Sequence, residues 1–152
     1  MKRLLFIILK TISYLLRPFR HGIYVRILQK AYQLQGVNFK GPAKYIHHDV
    51  YLDNLGGVFI GEGLVMSTKA VVLTHDYSPI VFEVIGKYEK RHSYVTPVTI
   101  GDNVFIGAGA IVLPGSNIGN NCIIGAGCVV KGVIPDNSVV IGNPCKIIKM
   151  IQ

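Results

Sequence analysis

Residues 100–130 read IGDNVFIGAGAIVLPGSNIGNNCIIGAGCVV, and every sixth position is aliphatic: Ile100, Ile106, Val112, Ile118, Ile124 and Val130. Small or short side chains hold the fifth place of each unit, at Val104, Ala110, Ser116, Cys122 and Cys128. Gly101, Gly107, Gly119 and Gly125 follow four of the aliphatics. A tight corner of positive φ is expected there, since glycine adopts it at no steric cost. A six-residue unit buries nothing alone, so its stability must come from stacking, and the period predicts a parallel β-helix. Three units per coil form a triangular prism that sets Ile100 beneath Ile118, Ile106 beneath Ile124 and Val112 beneath Val130, about 4.8 Å apart. A sandwich or barrel of short strands is the alternative, but such folds do not hold a fixed six-residue phase.

The beat extends upstream through Ile60, Met66 and Val72, with Leu64 and Ala70 in the fifth places, and more weakly to Val50 and Leu52. It slips between Leu52 and Ile60, and again between Val72 and Ile100. The second slip marks an inserted loop at about residues 77–97, where Ser78, Pro79, Gly86, Lys87, Glu89, Lys90, Arg91 and Pro97 suit a solvated excursion. Gly107-Ala108-Gly109 and Gly125-Ala126-Gly127 imitate the opening of a dinucleotide-binding fingerprint. Val112 and Val130 occupy its third glycine position, however, and both fragments keep the hexapeptide phase.

The 152 residues carry a net charge of +8, and it is lopsided. Lys2, Arg3, Lys10, Arg17, Arg20, Arg26 and Lys30 put seven cations and no acid in the first thirty residues, which leaves the rest of the chain nearly neutral. The division is therefore a basic amphipathic helical arm over residues 1–38 and a β-helix domain over 39–152. In the arm, Arg3, Lys10, Ser13 and Arg17 form a polar stripe beside a wide apolar face, and Pro18 ends the first helix. A second helix is expected over about residues 19–34, with Arg26, Gln29, Lys30 and Gln33 on its polar side. The apolar run stops at Lys10, short of the ~20 residues a span needs, and no small-residue cleavage site follows it. Two roles stay open for residues 1–34: peripheral association with the anionic inner face of a membrane, or an end cap on the first coil. A nucleic-acid partner is not expected, because wide apolar faces suit a bilayer or a protein better.

Cys122, Cys128 and Cys145 are an odd count without metal-ligand spacing and read as reduced packing residues of a cytoplasmic protein. Of the five histidines, His75 is the informative one, standing where the repeat runs out into the loop. That is a rigid scaffold beside a movable cover, a place where reactive groups are well positioned. His47, His48 and Asp49 are clustered, but no metal site is expected. A zinc carbonic anhydrase on such a fold would need three histidines, and only His92 follows His75.

The closing stretch Ile134-Pro-Asp-Asn-Ser-Val-Val-Ile-Gly-Asn-Pro-Cys-Lys-Ile-Ile148 resembles the tail of the hexapeptide-repeat acetyltransferases, and Pro97-Val-Thr-Ile-Gly-Asp-Asn-Val-Phe-Ile-Gly107 resembles their return from the loop. The resemblance covers roughly residues 46–150 and points to the group of maltose, galactoside, serine and polysaccharide O-acetyltransferases. It implies a left-handed β-helix, a homotrimer, and acetyl-CoA held as acyl donor in the groove between subunits. Carried over by position, His75 matches the general base, and Phe105 stands where many members have tryptophan near the acetyl group. Ala108 and Ala126 match places where the pantetheine arm lies flat, and Lys131, Lys146 and Lys149 match positions near the nucleotide. Members often carry threonine then lysine where this chain has Lys131 then Gly132.

The function so implied is acetyl-CoA-dependent O-acetylation of a sugar hydroxyl in surface polysaccharide biosynthesis, by a cytoplasmic enzyme or one peripheral at the inner membrane face. Asp53, Asn54, Tyr77 and Arg91 are candidate contacts to the saccharide acceptor, with turn chemistry as the other reading of Asp53 and Asn54. A soluble acetyltransferase for serine or free sugars, an amino-sugar N-acetyltransferase and a non-catalytic scaffold stay open beside it.

Overall fold

The computed structural model describes residues 2–18, 20–86 and 95–151, apart from the side chains of residues 82 and 83. Two helices come first, α1 (Lys2–Leu16) and α2 (His21–Leu34), separated at Pro18 where proline cannot continue a helix. Short strands then wind into coils: β1 (Asn38–Phe39), β2 (Tyr45–Ile46) and β3 (Tyr51–Leu52) in the first, and β4 (Val58–Ile60), β5 (Val65–Met66) and β6 (Val71–Val72) in the second. After an excursion containing α3 (Pro79–Val84), the third coil is β7 (Val98–Ile100), β8 (Phe105–Ile106) and β9 (Ile111–Val112). The fourth is β10 (Asn117–Ile118), β11 (Ile123–Ile124) and β12 (Val129–Val130), and the chain closes with β13 (Val133–Ile134), β14 (Ser138–Ile141) and β15 (Lys146–Met150).

The strands stack into three sheets, face A (β1-β4-β7-β10-β13), face B (β2-β5-β8-β11-β14-β15) and face C (β3-β6-β9-β12), parallel throughout except for the antiparallel β15. Register follows the sequence beat: Ile118 pairs with Ile100, Ile124 with Ile106 and Val130 with Val112. The beat residues and fifth-place residues are all buried, from Ile60, Leu64 and Met66 up to Ile134, Ser138 and Val140. The slip after Val72 needs no gap in the wall, because Ile60 pairs directly with Ile100 across the excursion.

The glycines of the beat differ from expectation. Gly101, Gly107, Gly119 and Gly125 are absent from the positive-φ residues; those lie two positions later, at Gly63, Lys69, Asn103, Gly109, Asn121 and Gly127. What forbids a side chain after the aliphatic is space: a Cβ on Gly107 would stand 2.5 Å from the Ala126 nitrogen, and one on Gly119 2.2 Å from Asp136 Oδ1. The coils touch there, and side chains bridge them. Glu62 N donates to Asp102 Oδ1, Asp102 N to Asn120 Oδ1 and Asn120 N to Asp136 Oδ1, at 2.8 to 2.9 Å. Each coil thus caps an amide of the one beneath it.

Helix α2 covers the open end of the first coil. Tyr24, Val25, Leu28, Ala31 and Tyr32 are buried, and the hydroxyls of Tyr24 and Tyr32 donate to the carbonyls of Ile46 and Val50, the latter at 2.5 Å. Gln29, expected on the polar side, instead clamps the chain: its amide donates to Gly41 O and its oxygen accepts from Ala43 N, both at 3.0 Å. Helix α1 packs on α2 with the middle of its polar stripe, Lys10 and Ser13, turned inward, while Arg3 and Arg17 stay exposed. Ser13 is fully buried, and Lys10 lies 5.7 Å from the ring centres of both Phe6 and Tyr32.

Candidate active site at the corner between faces C and A

The irregular corner after β3 and the corner after β6 lie against each other. Asp53, 7% exposed, sits on the first; Thr74 and His75 sit on the second. Asp53 Oδ1 accepts from Leu55 N at 3.1 Å, an Asx turn that shapes the eight-residue slip between Leu52 and Ile60. Its Oδ2 accepts from Thr74 N at 3.0 Å, from Thr74 Oγ1 at 2.6 Å and from His75 Nδ1 at 2.6 Å. Burial alone would raise the Asp53 carboxyl; the donors from Thr74, His75 and Leu55 outweigh it and bring it to about 2. A carboxylate accepts only, so His75 Nδ1 carries the proton and Nε2 is the nitrogen with the lone pair.

His75 also pairs with Val95 in an isolated antiparallel bridge, and Thr96 N donates to Thr74 O at 2.7 Å. The histidine therefore stands at the neck of the excursion, its side chain 31% exposed, with the Tyr77 ring 5.2 Å away. Asp76 caps Ser78 N at 2.8 Å and lies within electrostatic reach of Lys131, which occupies the same corner two coils higher.

The sequence candidates fall into two groups. His75, Asp53, Tyr77 and Lys131 share the C-to-A corner. Asn54 sits on the same turn, but its amide lies against Gly36 at the end of α2, toward the arm. Phe105 projects from face B, 40% exposed. Ala108 and Ala126 stack at the B-to-C corner, where Gly127 N donates to Ala108 O at 2.8 Å, and Lys146 and Lys149 lie exposed on β15 at the end of face B. Arg91 lies outside the described residues, as does His92. Sequence reasoning gave Asp53 a sugar or a turn and missed its hold on His75; the available signal was a carboxylate one coil beneath a histidine at a shared corner.

The cluster His47, His48 and Asp49 has its ligand atoms within 4.8 Å of one another, yet its groups serve the protein. Asp49 accepts from Thr68 Oγ1 at 2.7 Å, from Lys69 N at 2.9 Å and from His47. His48 meets the Arg17 guanidinium at 3.2 Å and the Tyr14 ring at 4.8 Å, so the cluster fastens the end of α1 to the first two coils.

Residues 97–132 match the family model described as bacterial transferase hexapeptide (six repeats), and residues 118–147 match the hexapeptide repeat of succinyl-transferase. The galactoside O-acetyltransferase of Lactococcus lactis is 35% identical over 114 residues, covering 74% of this chain and 52% of that protein. Across the first three curated relatives matched, the chain spans 52% to 61% of their length. Among solved structures, the polysialic acid O-acetyltransferase OatWY superposes with a TM-score of 0.62 at 22% identity, covering 76% of this chain and 55% of that one. A galactoside acetyltransferase in complex with coenzyme A superposes at 0.55 and 22% identity, covering 96% and 80%. These likenesses identify the coil as the left-handed parallel β-helix, with helices at its N-terminal end.

Proposed function

The chain belongs to the hexapeptide-repeat acetyltransferase family, and from that premise we propose that it transfers an acetyl group from acetyl-CoA to a hydroxyl of a saccharide acceptor, with His75 as general base. The observation that carries this reading is the buried carboxylate of Asp53 on His75 Nδ1, which leaves a basic Nε2 at a partly open corner. In the reaction, His75 Nε2 takes the proton of the acceptor hydroxyl as that oxygen bonds to the thioester carbonyl carbon. The tetrahedral adduct then collapses, the carbon–sulfur bond breaks, and the thiolate of coenzyme A takes the proton from the imidazolium. Asp53 acts only through the ring, fixing its tautomer and holding its orientation.

We place the acyl donor along Phe105, the small residues Ala108 and Ala126, and the cations Lys131, Lys146 and Lys149. Alanines leave room for a flat pantetheine arm, and lysines meet phosphates as point charges. Most of this surface lies across face C from His75. A homotrimer in which one copy supplies the histidine corner and the next supplies the groove joins the two without moving either. Tyr77 and Arg91 are assigned to the acceptor, and surface polysaccharide precursors are the acceptor class that suits a sugar O-acetyltransferase of this group, working in the cytoplasm.

The test is transfer from radiolabelled acetyl-CoA to a panel of free sugars, serine, amino sugars and oligosaccharides. His75→Ala is expected to lower the rate by about 10² to 10⁴, the range that loss of a general base produces. Equal rates for wild type and variant would overturn the assignment, and preferential transfer to serine or to an amine would move the acceptor class.

A further inference from the structure

Helix α1 is amphipathic in the reverse of the usual sense. Its inner side holds Phe6, Leu9, Lys10, Ser13 and Leu16, while Leu4, Leu5, Ile7, Ile8, Ile12 and Leu15 face outward at 40% to 64% exposure. Two cations hold that rotation: Lys10 sits over the Tyr32 ring and Arg17 reaches His48, while the buried Ser13 hydroxyl is satisfied within the helix on Lys10 O at 2.7 Å. The exposed apolar stripe is bracketed by exposed cations, Lys2 and Arg3 at one end and Arg17 and Arg20 at the other. At the Arg17 end, Tyr14, Leu15, Arg17 and Pro18 line an open cleft of about 580 Å³.

From this arrangement we propose that α1 is a docking face for an anionic phospholipid bilayer, lying in the plane of the interface with its aliphatic stripe among the acyl chains. Fifteen residues make a helix about 22 Å long, less than the ~30 Å hydrocarbon thickness, and no helix among the described residues is long and apolar enough to cross. The seven cations and absent acids of the first thirty residues match the charge of such a surface. They also disfavour a second copy of the same face as occupant, since two such arms would bring like charges together. Arg17, in the lining of that cleft, adds a cation for a phosphate headgroup.

The experiment is flotation of the full-length chain with vesicles of phosphatidylglycerol and phosphatidylcholine, and with phosphatidylcholine alone. Binding to the anionic vesicles that weakens with added salt is expected, with little to the neutral ones. A triple variant, Leu4→Ser with Ile8→Ser and Ile12→Ser, changes only exposed side chains, so its thermal midpoint and its acetyl transfer to a soluble acceptor should match wild type. Its vesicle binding should fall at least ~10-fold. Neutralising Lys2 and Arg3 to glutamine should cost about 10-fold on its own. No binding by wild type, or equal binding by the triple variant, overturns the proposal. So does a wild-type assembly that the triple variant breaks into smaller units, because the stripe would then be an interface between copies.

Discussion

Asp53 shows how few alternatives one buried carboxylate leaves. Both its oxygens accept, one from Leu55 N and the other from Thr74 and His75, so an asparagine there must aim its NH₂ at a donor whichever way it turns. Asp53→Asn is therefore expected to lower kcat by roughly 10² or more while KM for acetyl-CoA stays near wild type, as expected when a histidine loses its orienting acceptor. The same residue sets an acid limit. Its carboxyl is held at about 2 against an ordinary 3.8, so its contribution to stability is complete above the ordinary value and is lost as pH falls toward 2. That contribution is about 2 kcal/mol, and urea midpoints for wild type and Asp53→Asn should converge over this window. His75 itself was legible in the sequence because it interrupts a period. Asp53 was legible as a residue of the corner beneath, but its hold on His75 was not, because the irregular turn between Leu52 and Ile60 leaves the direction of its carboxylate unset by the period.

At the level of the coil, two kinds of glycine share one motif and carry different costs. Gly107 has backbone of the next coil 2.5 Å from where a Cβ would stand; Gly109 has nothing within 4 Å but a φ of +66°. Gly107→Ala must push adjacent coils away from each other and is expected to cost about 3 kcal/mol, in the range of a badly overpacked core. Gly109→Ala should cost only about 1 kcal/mol of left-handed backbone strain, as Lys69 and Asn103 already bear at equivalent corners. Chemical denaturation of the two variants separates the effects. The period located these glycines but gave the wrong reason for Gly107, since spacing along one chain carries no information on how near the next coil lies. The arm shows the same limit. Its periodicity defined two faces of α1, and the rotation was decided by Lys10 on the Tyr32 ring and Arg17 on His48, groups far away in sequence.

For the molecule as a whole, the histidine corner and the alanine edge occupy different corners of one prism, and the proposed trimer turns this separation into a mixing experiment. His75→Ala and the groove-blocking Ala126→Trp should each be inactive alone. Denatured together in equal amounts and refolded, they should recover about a quarter of wild-type activity if each site draws on two chains, from random pairing within a cyclic assembly. A mixture that stays inactive would place the whole site within one chain.

The ends of the prism are finished differently from its middle. Helix α2 seals the first coil, and β15 turns back antiparallel on β14, so a further parallel coil has no matching edge on that face. Between the third and fourth coils the walls repeat every 18 residues, with Ile118 over Ile100, whereas the first and second coils stack 20 to 21 residues apart and the closing strands 16. Length differences between coils are thus taken up at the corners and not in the walls. A whole coil inserted between β9 and β10 would preserve every corner, whereas one extra residue within a strand would turn that wall inside out. The excursion between His75 and Val95, whose two ends are tied to each other, lies outside every wall, which makes it a region of the molecule where a new acceptor can be tried without rebuilding the scaffold.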